Sequence, residues 1–327
     1  MSNTDKGRGM TDQEWSNYSS AAQTKPIDQI FTQTTIKSTP DPRTSFDPKT
    51  ISVRESRDSD LFPNSTPIIL GFDVTGTMGD IPYHFVQKGL GILIKEIYDR
   101  KPVSDPQIMC MAIGDARTDT APLQTTQFET DMRIVKQLEE LYLEGNGGGN
   151  NGESYNLAHC FAAHKTSTDC YEKRGKKGQL YTIGDEPPVY TLKREHAKKF
   201  VGFDPGRDLS SEELIEMARK QYDVFHVIVE QGAGLGQYGE KAVVGGWNKL
   251  LGEDHVLRLS DYTKLSEVVI SQMQRNAGVD YDAVVKSWSG NTSLVVAHAL
   301  SGGGAVATQR PGAKKTGVVR LPQASAA

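Results

Sequence analysis

The sequence predicts an α/β fold: a doubly wound, mostly parallel central sheet with helices on both faces. Two observations carry that expectation. Short apolar runs of strand length alternate with segments of helical periodicity, the order expected when covering helices join parallel strands. A composition of 37% hydrophobic and 24% charged residues suits one substantial core, while 32 glycines and 15 prolines point to many turns or irregular ends.

The elements follow in order. Ile68 to Phe72 is the first strand and feeds the loop DVTGTMGD. The helix IPYHFVQKGLGILIKEIYDR comes next, with Phe85, Leu90, Leu93, Ile94 and Ile97 at helical spacing. Gln107 to Ile113 is a strand ending in GDARTD, Leu123 to Phe128 an edge segment, and Thr130 to Leu143 a helix. The loop GNGGGNNGES fits no regular element and precedes an apolar helix from Tyr155 to His164. Gln179 to Ile183 is a strand that ends at GDEPP. The helix SSEELIEMARKQY feeds the strand Asp223 to Glu230, and the strand His255 to Leu259 precedes the helix Lys264 to Met273. GAGLGQYG, residues 232–239, reads as a mobile loop near the rim.

The flanks differ from this centre. Residues 1–65 are rich in Ser, Thr, Asp, Gln and Pro and read as an extended or disordered arm, with apolar islands at Ile27 to Phe31 and Ile51 to Val53 able to lie against the domain or a partner. The domain itself spans 66–275, a helical extension 276–301 and a flexible, mildly basic tail 302–327. Trp247 and Trp288 are read most simply as packing residues, with docking of the C-terminal helix as an alternative for Trp288.

Charge and composition exclude several functions. A net charge of -4 gives no general attraction to nucleic acid or to an anionic membrane, so neither is expected as a partner. The polar start MSNTDKGRGM does not read as a secretory signal, and no apolar run approaches the roughly 20 residues needed to span a bilayer. Cys110, Cys160 and Cys170 are odd in number and lack zinc or disulfide spacing, so they are expected to be buried thiols in a cytoplasmic, reducing setting. The histidines show no ligand spacing, and His226, inside an apolar strand, reads as a satisfied core imidazole. No G-x-x-x-x-G-K-[ST] is present, so a P-loop is absent.

In open α/β sheets the functional crevice lies beyond the carboxyl ends of the strands. The first strand ends in Asp73-Val74-Thr75-Gly76-Thr77, which sets one carboxylate and two hydroxyls at alternate positions of a single turn. Hard oxygens so arranged suit Mg²⁺, Ca²⁺ or Mn²⁺. The same turn, taken alone, also caps a following helix. Asp115 and Asp119 face the same rim, as turn residues or as auxiliaries.

FDVTGTMGD resembles the D-x-[ST]-x-[ST] motif of the metal-ion-dependent adhesion site in von Willebrand factor A domains, a Rossmann-like family. The second and third loops are similar to the GGGD-x-x-E and T-D-x-P-P variants of A domains attached to some α-kinases and of bacterial and phage relatives. The resemblance implies that Asp73, Thr75 and Thr77 approach the ion and that Asp185 completes its shell. In the second loop the variant's aspartate aligns with Asn150, and Glu153 or Ser154 is positioned to substitute. It further implies a divalent cation, most simply Mg²⁺, whose shell is completed by an acidic side chain of a protein partner. An AAA+ ATPase or a virion assembly is the expected kind of partner, with a cytoplasmic or virion-associated location. The chain is thus read as a metal-dependent interaction module rather than an enzyme. The alternatives are a structural protein, such as a phage particle component, with a vestigial metal site, and a Mg²⁺-dependent haloacid-dehalogenase-like phosphatase. The last requires a general acid two residues after its aspartate, where Thr75 stands.

Overall fold

In the computed structural model the described residues are 33–34, 45–130, 133–143 and 152–301. Asn150, most of the glycine-rich loop and the tail from 302 lie outside them. The sheet is built from β1 (Thr66–Asp73), β2 (Pro106–Ile113), β3 (Leu123–Thr125), β4 (Gly178–Gly184), β5 (Tyr222–Val229) and β6 (Val256–Leu259). Its spatial order is β6-β5-β4-β1-β2-β3, parallel throughout except for the antiparallel edge strand β3. Burial on both faces explains the apolar runs of the central strands: after Thr66 every residue of β1 is buried.

The faces divide the core in two. Ile68, Leu70 and Phe72 of β1 point into one cluster and Ile69 into the other, as the two-residue repeat of a strand requires. The first cluster is closed by α1, which is α-helical over Ile81–His84, widens to a π turn over Phe85–Gly89 and continues α-helical over Leu90–Arg100. The π turn leaves the Gly89 carbonyl to the Ser266 hydroxyl, 2.7 Å away, on α7 (Leu265–Asn276). Before α7 lie α2 (Arg133–Glu139), α3 (Tyr155–His164), α4 (Ser211–Ala218), α5 (Ala233–Tyr238) and α6 (Glu240–Leu251). Tyr155 of α3, Leu214 of α4 and Trp247 of α6 help fill the second cluster. A capping box between Ser210 and Glu213 starts α4, consistent with the sequence SSEE.

Three segments differ from the sequence reading. The helix expected over 130–143 is α-helical only over Arg133–Glu139. Tyr142 leaves it because the Gln124 amide takes both its backbone groups, donating to its carbonyl at 2.8 Å and accepting its N–H at 2.9 Å. Residues 233–238, expected as a mobile loop, form the short helix α5. The packed chain also starts before residue 66: Phe46, outside the apolar islands, is buried, and Arg54–Ser56 pairs in parallel with Thr166–Thr168, while Ile51 lies against the domain as the island reading allowed. Apolar residues so sparse show no periodicity; Phe46 is buried in the first cluster and Ile51 in the second.

The C-terminal extension is helical, as α8 (Tyr281–Lys286) and α9 (Gly290–Ser301). Trp288 docks it, donating from Nε1 to the Ser271 hydroxyl at 2.8 Å beneath the Arg100 guanidinium, 3.6 Å from the ring centroid. All three cysteines are free and buried. No helix among the described residues is long and apolar enough to cross a membrane.

Candidate functional site

Connections from β1 and from β4 run to opposite halves of the sheet, and the two strands are neighbours. They therefore form a topological switch point, where the chain leaves a crevice at the carboxyl edge. Asp73 ends β1 and Asp185 follows β4, so the switch point brings the first and third loops together.

There the oxygens predicted from sequence form a continuous chain. The Thr75 hydroxyl donates to Asp73 Oδ1 at 2.6 Å, lies 3.2 Å from the Thr77 hydroxyl, and the latter donates to Asp185 Oδ1 at 3.1 Å. Because the hydroxyls aim their hydrogens along this chain, lone pairs remain for a third party. The outer carboxylate oxygens are held from behind. Tyr155 Oη donates to Asp73 Oδ2 at 2.8 Å, and the Gly234 N–H to Asp185 Oδ2 at 2.7 Å.

The second loop contributes unevenly. The Ser154 hydroxyl is turned away, accepting the Ala116 N–H at 2.9 Å. Glu153 is buried near Asp73 and Glu186, and among the described residues its Oε2 has no partner. Asp115 and Asp119 act as turn residues: Asp115 accepts the Arg117 N–H at 3.0 Å, and Asp119 accepts the Asp115 N–H at 2.7 Å.

Electrostatically the crevice is short of positive charge. Burial first, then the Asp185 carboxylate, pushes Asp73 up to about 7. Burial also raises Asp185 and lifts Glu186 to about 7, the latter with help from Asp73 and Asp185. Glu153 is pushed up to about 10, by burial and then by Asp73, Glu186, Asp115 and Asp119. Arg117 lies within reach of Glu153 and Glu186, but its Nε is committed to Asp115 at 2.8 Å. A group of buried acids with an unpartnered carboxylate oxygen is the environment in which a bound cation lowers free energy.

The donor set suits a hard divalent ion, with Asp73, Thr75, Thr77 and Asp185 as the residues that would hold it. Among the described residues no three His, Cys, Asp or Glu side chains gather into a metal cage. Hydroxyls thus make up half of the chain of residues, and such an ion would finish its shell with water or an outside ligand.

Three features escape sequence reasoning. Tyr155 reads simply as the start of an apolar helix, and its hydroxyl role depends on a fold contact across 82 residues. Glu186 sits one residue past the motif position, and the Tyr238 hydroxyl, pushed up to about 12 mainly by burial, is hydrogen-bonded to it. Gly232 and Gly234 admit Asp185: a Cβ on either would fall 2.3 Å from an Asp185 oxygen. The G-x-G following β5 is the one signal that points to them. His226 is buried as expected, but only its Nδ1 is partnered, 2.8 Å from the Thr182 hydroxyl; Nε2 has no partner among the described residues.

No family model matches the sequence, and no curated protein matches it. Solved structures of similar fold include the open conformation of the pilus adhesin SpaC from Lactobacillus rhamnosus GG, at 9% identity and TM-score 0.46 over 68% of this chain and 31% of that one. A von Willebrand factor type A protein from Catenulispora acidiphila is 11% identical, with TM-score 0.36, over 66% of this chain and 44% of its own. BatB from Bacteroides thetaiotaomicron is 10% identical, with TM-score 0.38, over 65% of this chain and 98% of its own. The chain thus spans about a third of the pilus adhesin's length. Likeness at this level carries no argument about function, which has to be read from the chain's own side chains.

Proposed function

We propose that the chain is a metal-dependent protein-interaction module. The observation that carries this reading is the oxygen chain Asp73-Thr75-Thr77-Asp185 at the switch point, next to the Glu153 carboxylate, whose Oε2 has no partner among the described residues. Asp73 and Asp185 orient the two hydroxyls, and the hydroxyls present lone pairs outward. A divalent cation there supplies the missing positive charge and remains electrophilic, because hydroxyl ligands neutralise little of it. An acidic side chain of a partner protein is the natural outside ligand. The resemblance to the metal-ion-dependent adhesion site supports the same reading, and an AAA+ ATPase or a virion assembly fits the expected kind of partner.

One contact weighs against the phosphatase alternative. A phosphatase of the haloacid dehalogenase kind needs a proton donor two residues after its aspartate; here Thr75 occupies that place and gives its hydrogen to Asp73 itself. The deciding experiment is affinity capture from the native host with Mg²⁺ and with EDTA, using wild type and Asp73→Ala. Partners should disappear in both the EDTA and the mutant samples while the mutant keeps its cooperative melting. Metal-independent capture by folded Asp73→Ala would favour a structural protein with a vestigial site. Mg²⁺-dependent phosphate-ester hydrolysis that is lost in Asp73→Asn would replace the binding reading with an enzyme.

A further inference from the structure

The hydroxyl of Tyr155 is placed by packing rather than by the carboxylate it meets. The residue is buried, with its ring edge-on to His226 at 5.1 Å and to Trp247 at 5.3 Å. Trp247 is itself fixed, stacked on His226 at 3.6 Å and donating from Nε1 to the Glu186 carbonyl at 2.9 Å. On the far side Gly184 leaves room for the phenol: a Cβ there would lie 1.9 Å from Tyr155 Oη and 3.0 Å from the Asp73 Cβ. A rigid aromatic stack therefore holds a donor at a fixed point behind Asp73.

That donor occupies Asp73 Oδ2, while Oδ1 accepts both the N–H and the hydroxyl of Thr75, at 2.9 and 2.6 Å. Asp185 is restrained in a parallel way, with Oδ2 bound by the Gly234 N–H. Neither carboxylate has two oxygens at liberty. Ca²⁺ gathers six to eight oxygens, often with bidentate carboxylates, whereas Mg²⁺ takes a compact octahedron and keeps several waters. We propose that Tyr155 is a positioning residue that withholds Asp73 Oδ2 from the cation and so tunes the site toward Mg²⁺ and against Ca²⁺. The inference rests on the metal-dependent reading above and adds to it the residue that sets cation preference.

Titration calorimetry with MgCl₂ and, separately, CaCl₂ tests it on the full chain. Wild type should bind Mg²⁺ more tightly than Ca²⁺. Tyr155→Phe keeps the ring in its stack and removes only the donor, so the preference for Mg²⁺ should fall by about tenfold, within the range that outer-shell partners command. Urea unfolding in EDTA should be close to wild type. Gly184→Ala keeps the hydroxyl but drives it off Asp73, and the preference should shift in the same direction. Equal weakening for both cations, or an unchanged ratio, in Tyr155→Phe would overturn the positioning role while leaving the metal site intact. Absence of binding of either cation to wild type would overturn the metal reading and this inference with it.

Discussion

At Gly234 the site depends on a side chain that is not there. Its N–H reaches Asp185 Oδ2 at 2.7 Å, and a Cβ would fall 2.3 Å from the Asp185 carbonyl oxygen. Gly234→Ala must therefore push the third-loop aspartate out of line with Thr77. Metal affinity is expected to drop about tenfold or more, a typical outer-shell effect, with cooperative thermal melting retained. Calorimetric titration checks it, and wild-type affinity would show that Asp185 does not hold the ion. Asp73, Thr75, Thr77 and Asp185 were legible in the sequence because each lies within a few residues of the end of an apolar strand. Tyr155, Glu186 and the Gly232-Gly234 pair were not, since their roles arise from contacts across 34 or more residues of chain, as between Gly152 and Glu186, and no local pattern records them. Ser154 shows the converse limit: position alone made it a candidate, and a hydrogen bond to the Ala116 N–H turned it away.

Among the elements, the central strands are readable to within two residues at each end, because burial on both faces writes a continuous apolar run into the sequence. Two of the three misreadings share a cause: local propensity was overridden by tertiary hydrogen bonds from one side chain. Gln124 ends the helix before Tyr142, and Asp185 fixes the N-terminus of α5 despite its glycines. Trp288 takes the docking role that the sequence left as an alternative to simple packing, and its energetics are open to test. Trp288→Phe keeps an aromatic ring under Arg100 but loses the Nε1 bond to Ser271, which should cost about 1 kcal/mol. A lower urea midpoint with an unchanged slope is the expected signature. No change would mean that α8 and α9 are held by their apolar contacts alone.

For the molecule as a whole, pH dependence follows from imidazoles as well as from the site. His159 is buried with neither ring nitrogen partnered among the described residues, and burial, reinforced by the Arg219 charge, lowers it to about 3. An unfolded histidine takes its proton near pH 6.5, so the unfolded state binds more protons below that value. Stability contributed by His159 is thus fully present above about pH 6.5 and declines as pH falls toward 3, by up to about 2 kcal/mol between pH 7 and pH 5. His159→Leu removes the titration. Its urea midpoint should change less than that of wild type between pH 7 and pH 5, with the acids of the rim contributing equally to both proteins. An identical pH response in the two would show that His159 is hydrated or protonated in the folded state.

The segment that precedes β1 bears on how copies of this chain avoid one another. Strand β3 is the sheet's antiparallel margin, yet the Thr125 N–H donates to the Phe46 carbonyl at 3.0 Å and the Thr125 carbonyl accepts from Arg54 Nη2 at 3.0 Å. The outward backbone groups of Thr125 are thus already spoken for by the chain's own earlier residues. An open margin of this kind is a template for strand addition by a neighbour, and a covered one is not. Phe46 and Arg54 therefore cover this margin at Thr125 against strand addition, a duty quite separate from the crevice at the sheet's carboxyl edge.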